Sequence, residues 1–226
     1  MKYPYLLLDA DNTLFDFEAG NRHAFHEVCA RYDIPDTEES FQCYKRCNNA
    51  MWAAFDRGEC TKDFLVVERF RRFLKEMGLD QDAARCNELH LQVLGQNTLL
   101  LPHALEVCRG LSREHRLYIV TNAVAAVQRS RLAGSAIAPY ITGAFISEEA
   151  GASKPSAAYF DYVFSRIDGI TRENCLLVGD SLSSDIRGAN NYGLPCCWYN
   201  PKEAARPEDL RIDYEIRDLR QLYDLV

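Results

Sequence analysis

Apolar and polar positions follow three regimes along the chain. Leu6, Leu7 and Leu8 form a short unbroken apolar run, the pattern of a strand buried on both faces in a parallel sheet. From Phe17 to about residue 100 the period becomes helical, and no comparable run recurs. Ala24, Phe25, Val28, Cys29 and Tyr32 share one face of a first helix, which ends at Ile34-Pro35 because the residue before proline is driven out of helical angles. Phe41, Tyr44, Met51, Trp52 and Phe55 mark a second, stopped near Gly58. A third, capped by Thr61 and closed by Gly78, carries Phe64, Leu65, Val67, Phe70, Phe73, Leu74 and Met77. A fourth has Asp80 as its candidate cap and runs through Leu89, Val93 and Leu94 to Gly95. From Leu101 onward strands and helices alternate. Strands are expected over 117–121, 145–147, 175–180, 196–199 and 214–216, with helices over 102–111, 124–132, 155–164 and 183–191 and a last one from Leu219.

This order predicts an α/β fold, a doubly wound parallel sheet with a smaller all-helical domain inserted after the first strand. The expected division is 1–15 with 97–226 for the α/β core and 16–96 for the insert, which would act as a cap over the carboxyl edge of the sheet. The aromatics of the insert, Trp52 included, read as bundle core. Arg69, Arg71, Arg72 and Lys75 read as a solvated helix face, and His23 and His26 as a surface pair.

Composition narrows the class of protein. With 47% hydrophobic and 26% charged residues the chain is ordinary globular material, and a net charge of -7 with scattered basic residues excludes the basic stripe that a nucleic-acid polymer requires. No apolar segment approaches the roughly 18 to 20 residues that span a bilayer. The nine cysteines are dispersed and no secretory signal precedes the first strand, so a reducing, cytoplasmic compartment is expected. Cys43 and Cys47 lie four apart, on one helical face, but no second pair of zinc-ribbon spacing accompanies them. A monomer is the expected state.

The chemistry concentrates at two strand ends. Asp9 and Asp11 fall where the first strand stops, where ligands of an open α/β sheet bind, and a side-chain period of two lets both project to one side. Thr13 continues that row if the backbone stays extended. The alternative is a solvated turn, for which Asp and Asn are common residues. A second apolar run, Cys175-Leu-Leu-Val178, ends in Gly179-Asp180 with Asp185 five residues on. Four acids brought together would repel one another and call for a cation among them, and magnesium, a hard ion that takes oxygen ligands, is the natural one.

Asp9-x-Asp11-x-Thr13 followed by Gly179-Asp180 and Asp185 resembles the haloacid dehalogenase-like hydrolase superfamily, and two further marks lie between them in order: Thr121 ending an apolar strand, and Lys154 before Pro155. Around Asp9 and Asp180, and at Cys197-Trp-Tyr-Asn-Pro201, the chain looks like the bacterial pyrimidine 5'-nucleotidases of that superfamily. The resemblance implies that Asp9 is a nucleophile and that Asp11 is the general acid and base. Mg2+ would be held by Asp9, Asp180 and the main-chain carbonyl of Asp11, with Asp185 on the metal or on one of its waters. Phosphate oxygens would be bound by Thr121, the amide of Asn122 and Lys154. The competing readings are a helix cap for Thr121 and a surface side chain for Lys154. Asp11 favours phosphate esters over halides, since a halide leaving group needs no proton. Asn12 replaces the glycine usual in the motif but tolerates left-handed angles. The implied activity is hydrolysis of a small phosphate ester, a nucleoside 5'-monophosphate first, with a sugar phosphate, phosphoglycolate or a phosphomutase reaction as alternatives.

Overall fold

The computed structural model describes residues 2–226, which divide into two compact units, Met1–Phe17 with Thr98–Val226 and Glu18–Asn97. The first unit is built on six strands: β1 (Tyr5–Leu8), β2 (Arg116–Thr121), β3 (Gly143–Ile146), β4 (Cys175–Gly179), β5 (Cys196–Tyr199) and β6 (Tyr214–Ile216). All five pairings are parallel and the order is β3-β2-β1-β4-β5-β6, so β1 is internal, with Leu8 opposite Ile119 on one side and Val178 on the other. The chain winds outward from β1 to β3 and then crosses to β4 on the opposite side. The ends of β1 and β4 therefore flank the switch point, where two successive connections diverge and leave a crevice.

Nine helices follow in chain order among the described residues: α1 (Phe17–Tyr32), α2 (Glu38–Asp56), α3 (Lys62–Glu76), α4 (Ala83–Gln96), α5 (Ala104–Leu111), α6 (Ala125–Gly134), α7 (Ser147–Ala150), α8 (Ala157–Phe164) and α9 (Arg187–Tyr192). Alternation along β1 sends Leu6 and Leu8 to one face, against Val107, Cys108 and Leu111 of α5, and Leu7 to the other, against Tyr159, Phe160 and Val163 of α8. Each of these leucines is almost fully buried, a gain of roughly 1.5 to 3 kcal/mol per side chain, so the strand is anchored from both faces. Its last residue is thereby fixed in place before any site chemistry is considered.

Several boundaries differ from the sequence reading. Helix α4 is capped by Asp82, whose carboxylate accepts from the amides of Ala84 and Arg85, and not by Asp80, because only the later residue sits one position before the first helical turn. Pro102 precedes α5, whose cap residue His103 is left-handed, and Lys154-Pro155 precedes α8, which starts after Ser156. The segment after Asp180 is a wide π-type turn over Leu182–Ile186 that runs into α9.

Within the helical unit, Phe25, Phe41, Tyr44, Phe70 and Phe73 form an aromatic core. Trp52 and Phe55 are only partly buried and meet edge to face at 5.7 Å, and Phe64 is exposed, so these three are not bundle core. Arg69 reverses its expected place. It is 2% exposed and donates to Asn48 Oδ1 at 2.9 Å, Asn87 Oδ1 at 3.1 Å, His90 Nδ1 at 3.3 Å and the Val66 carbonyl at 3.1 Å. A charge run in sequence cannot say which member turns inward; here the neutral acceptors on α2 and α4 select Arg69. Cys43 and Cys47 approach Glu76, whose other oxygen accepts from Arg46 at 2.6 Å. All nine cysteines are unpaired, and among the described residues no helix is long and apolar enough to cross a membrane.

Candidate active site

Each acid is delivered by a strand end. Asp9 follows β1 directly, its amide donating to the Val178 carbonyl at 2.9 Å, and Asp180 follows β4, its carbonyl accepting from Trp198 Nε1 at 2.9 Å. The wide turn after Ser181 brings Asp185 back to the same point. Asp9, Asp180 and Asp185 each offer a carboxylate oxygen, all within 4.8 Å of one another. Sequence placed Asp180 and Asp185 five positions apart, and the turn is what closes that gap.

Gly179 explains why a residue without a side chain stands before Asp180. A β-carbon there would lie 2.3 Å from Asp185 Oδ2 and 2.4 Å from its Cγ, so the carboxylate occupies the volume that glycine leaves. Asp185 is fully buried, and its two oxygens are engaged by Lys154 Nζ at 2.6 Å and the Ser181 amide at 3.1 Å.

Lys154 is the counter-charge. Its ammonium donates to Asp9 Oδ1 at 2.6 Å, Asp185 Oδ1 at 2.6 Å and the Val120 carbonyl at 2.7 Å, which uses all three protons. Burial works against that charge, but Asp185 and Asp9 outweigh it and raise the lysine above its ordinary value. The surface-lysine reading is therefore excluded. One cation faces three acids, and the acids show the deficit: burial pushes Asp9 well above the usual carboxylate range, with Lys154 opposing and Asp185 and Asp180 adding to the rise. Asp180 is pushed up to about 7, by burial first and then by Asp185. Three clustered carboxylates, two of them buried and Asp180 half-buried, with one ammonium suit a hard divalent cation with oxygen ligands.

The remaining expected residues surround this cluster. Thr121 ends β2, next to the carbonyl that Lys154 uses, and its Oγ1 accepts from the Ala123 amide at 3.1 Å. The hydroxyl thus turns the chain toward α6 without being its cap, which falls at Val124. Asn122 clasps Lys154 reciprocally, its Nδ2 donating to the Lys154 carbonyl at 2.8 Å and its Oδ1 accepting from the Lys154 amide at 3.0 Å. Thr13 does not extend the Asp9-Asp11 row, because Asn12 is left-handed at φ 60° and turns the chain back on itself; its hydroxyl nevertheless reaches Asp180 Oδ1 at 3.3 Å. The Asp11 carboxylate lies outside the three-acid cluster and pairs with Arg131.

Sequence reasoning missed Arg131. It lies on α6, 1% exposed, with Nη1 2.5 Å from Asp11 Oδ1 and Cζ 4.5 Å above the Phe15 ring. Its only signal was a position one turn beyond Gln128, indistinguishable from a solvated helix residue until the sheet brings α6 to the end of β1.

Comparison with known proteins identifies the family. Residues 3–193 match the model of the haloacid dehalogenase-like hydrolase family. YfnB of Bacillus subtilis is 36% identical over 225 residues, and its magnesium-bound crystal structure superposes with a TM-score of 0.95, covering 100% of this chain and 99% of that one. The pyrimidine 5'-nucleotidase PynA of Streptococcus pneumoniae is 32% identical over 99% of this chain and 95% of its own length. The corresponding figures for the pyrimidine 5'-nucleotidase YjjG of Escherichia coli are 29%, 100% and 99%. A three-acid cluster at the switch point of a parallel sheet, joined to these matches, makes this protein a member of the haloacid dehalogenase-like hydrolases.

Proposed function

We propose that the chain is a magnesium-dependent phosphatase that hydrolyses nucleoside 5'-monophosphates through an aspartyl-phosphate on Asp9. The observation that carries this reading is the cluster of Asp9, Asp180 and Asp185, in which a single buried lysine pairs with Asp9 and Asp185, an acid-rich site with a deficit of positive charge. Asp9, Asp180 and the Asp11 carbonyl would hold Mg2+, with Asp185 on the ion or on one of its waters; the YfnB crystal structure, which is bound to magnesium, supports the choice of ion. When bound, the ion supplies charge neutralisation on the transferring phosphoryl group.

The protein's own groups then have distinct tasks. Lys154 orients the Asp9 carboxylate by holding one of its oxygens and screens the approach of one anion to another. Thr121 and the Asn122 amide bind phosphate oxygens at the end of β2. Asp9 attacks phosphorus while Asp11 gives a proton to the leaving ester oxygen; Asp11 then takes a proton from water as water displaces Asp9 and phosphate departs. The helical unit 18–97 is the proposed substrate-selecting cap, inserted between the nucleophile loop and α5.

PynA and YjjG, matched along their whole lengths, support a pyrimidine nucleoside monophosphate as substrate. The test is kcat/KM with Mg2+ across nucleotides and sugar phosphates. The nucleotidase reading expects a pyrimidine nucleoside 5'-monophosphate at the top of the panel. It is refuted if every nucleoside monophosphate falls at least about tenfold below the best sugar phosphate, about 1.4 kcal/mol in transition-state binding. Asp9→Asn must be inactive on every ester, because an amide is not a usable nucleophile.

A further inference from the structure

A guanidinium that is 1% exposed needs a counter-charge, and Arg131 finds it in Asp11, the one acid of the motif that does not join the three-acid cluster. The contact is held from several sides. Arg131 lies over the Phe15 ring at 4.5 Å, and its Nη1 also reaches Gln128 Oε1, one helical turn earlier, at 3.4 Å. Phe15 belongs to the same loop as Asp11, since the Asn12 amide donates to the Phe15 carbonyl at 2.9 Å. The guanidinium thus grips the loop by a carboxylate and a ring at once. The contact uses Asp11 Oδ1, and the Asp11 side chain is 24% exposed while Arg131 is 1% exposed, so the pair is buried on the arginine side and reaches the surface on the carboxylate side.

We propose that Arg131 is the positioning residue for Asp11: it fixes the carboxylate in one rotamer, aimed for proton transfer to the leaving oxygen. The inference rests on the phosphatase reading above. In the first step the Asp11 O–H bond breaks and its proton goes to the bridging ester oxygen, as the phosphorus–oxygen bond to the leaving group breaks and the bond to Asp9 forms. In the second step the Asp11 carboxylate takes a proton from water and returns to its starting form. Effects confined to a proton donor scale with how much the leaving group needs the proton, which separates this role from a structural one.

The experiment compares kcat/KM for p-nitrophenyl phosphate, whose leaving phenolate needs little protonation, with that for uridine 5'-monophosphate, whose alkoxide needs it fully. Wild type, Arg131→Met and Arg131→Lys are measured with saturating Mg2+, each also in an Asp11→Asn background, where the amide oxygen still accepts from Arg131. Arg131→Met is expected to lose about 30- to 100-fold on the nucleotide, part of the roughly 100- to 10,000-fold that general acid catalysis contributes, and under about threefold on the aryl ester. In the Asp11→Asn background the same change should cost nothing further on either ester, and inhibition by inorganic phosphate should stay as in wild type. Arg131→Lys, which keeps the charge without the planar fork, gives the same selectivity in smaller measure and decides the matter if Arg131→Met does not fold. Equal losses on both esters, or losses that multiply with those of Asp11→Asn, overturn the inference while leaving the phosphatase reading intact. A wild-type chain inactive on both esters overturns the phosphatase reading and the inference with it.

Discussion

Gly179→Ala isolates one steric fact. Gly179 lies in β4 with ordinary strand angles, so alanine meets no backbone penalty and only the new β-carbon matters. That carbon would sit 2.3 Å from Asp185 Oδ2, 2.4 Å from Cγ and 2.7 Å from Cβ, about 1 Å inside normal contact with a side chain that cannot swing into solvent. Asp185 must therefore shift, and either the bond from Lys154 at 2.6 Å or that from the Ser181 amide at 3.1 Å has to give. Losing one charge-assisted hydrogen bond costs about 1.5 to 3 kcal/mol and overpacking typically 1 to 3, partly the same energy, so a destabilisation of about 2 to 4 kcal/mol is expected. Urea unfolding measures it, and Mg2+ titration should show weaker binding in parallel. Because Asp185→Ala removes the two nearest atoms and leaves only the Cβ contact at 2.7 Å, Gly179→Ala should cost measurably less in that background than in wild type. A single variant within about 0.5 kcal/mol of wild type with unchanged Mg2+ affinity would refute the reasoning, as would full additivity of the pair.

Other outcomes follow from the same geometry. Lys154→Met leaves Asp9 and Asp185, both buried, without their cation and should lower stability by about 3 to 5 kcal/mol in the absence of metal, partly recovered by millimolar Mg2+; denaturant midpoints with and without Mg2+ check this, and a metal-independent midpoint would contradict it. Asp11→Asn should retain inhibition by inorganic phosphate while losing at least about a hundredfold in nucleotide turnover, which steady-state kinetics would show. His90 in the helical unit is held well below its usual value, by burial first and then by Arg69, so the folded protein keeps it neutral while the unfolded chain takes up a proton below about pH 6.5. Stability should therefore fall with acid, and between pH 7 and 5.5 wild type should lose on the order of 1 kcal/mol more than His90→Gln in urea unfolding; equal losses would show that the imidazole is not kept neutral.

The sequence alone determined the class of fold and most of the cluster, because both are written in local pattern. An apolar triplet flanked by polar turns can only be an internal strand, and an acid at its end has little choice of place once that strand is buried from two sides. Asp9 and Asp180 were legible for that reason and Lys154 only through the family resemblance, while Thr61 as a helix cap and Gly78 as a helix end were legible from local pattern. Tertiary structure decided everything that depends on which side chain turns inward. Arg69 and Arg131 look alike in sequence to exposed cations, and each is buried because a distant element supplies acceptors: Asn48, Asn87 and His90 for one, Asp11 and the Phe15 ring for the other. Trp52 and Phe64 show the converse, since an apolar position on a helix is buried only if a neighbour arrives to cover it. Asp185 lies between the two cases. Its identity was readable five residues after Asp180, but its seat at the site required both a wide turn and the empty volume above Gly179, and neither a turn width nor a void has a signature in a linear chain.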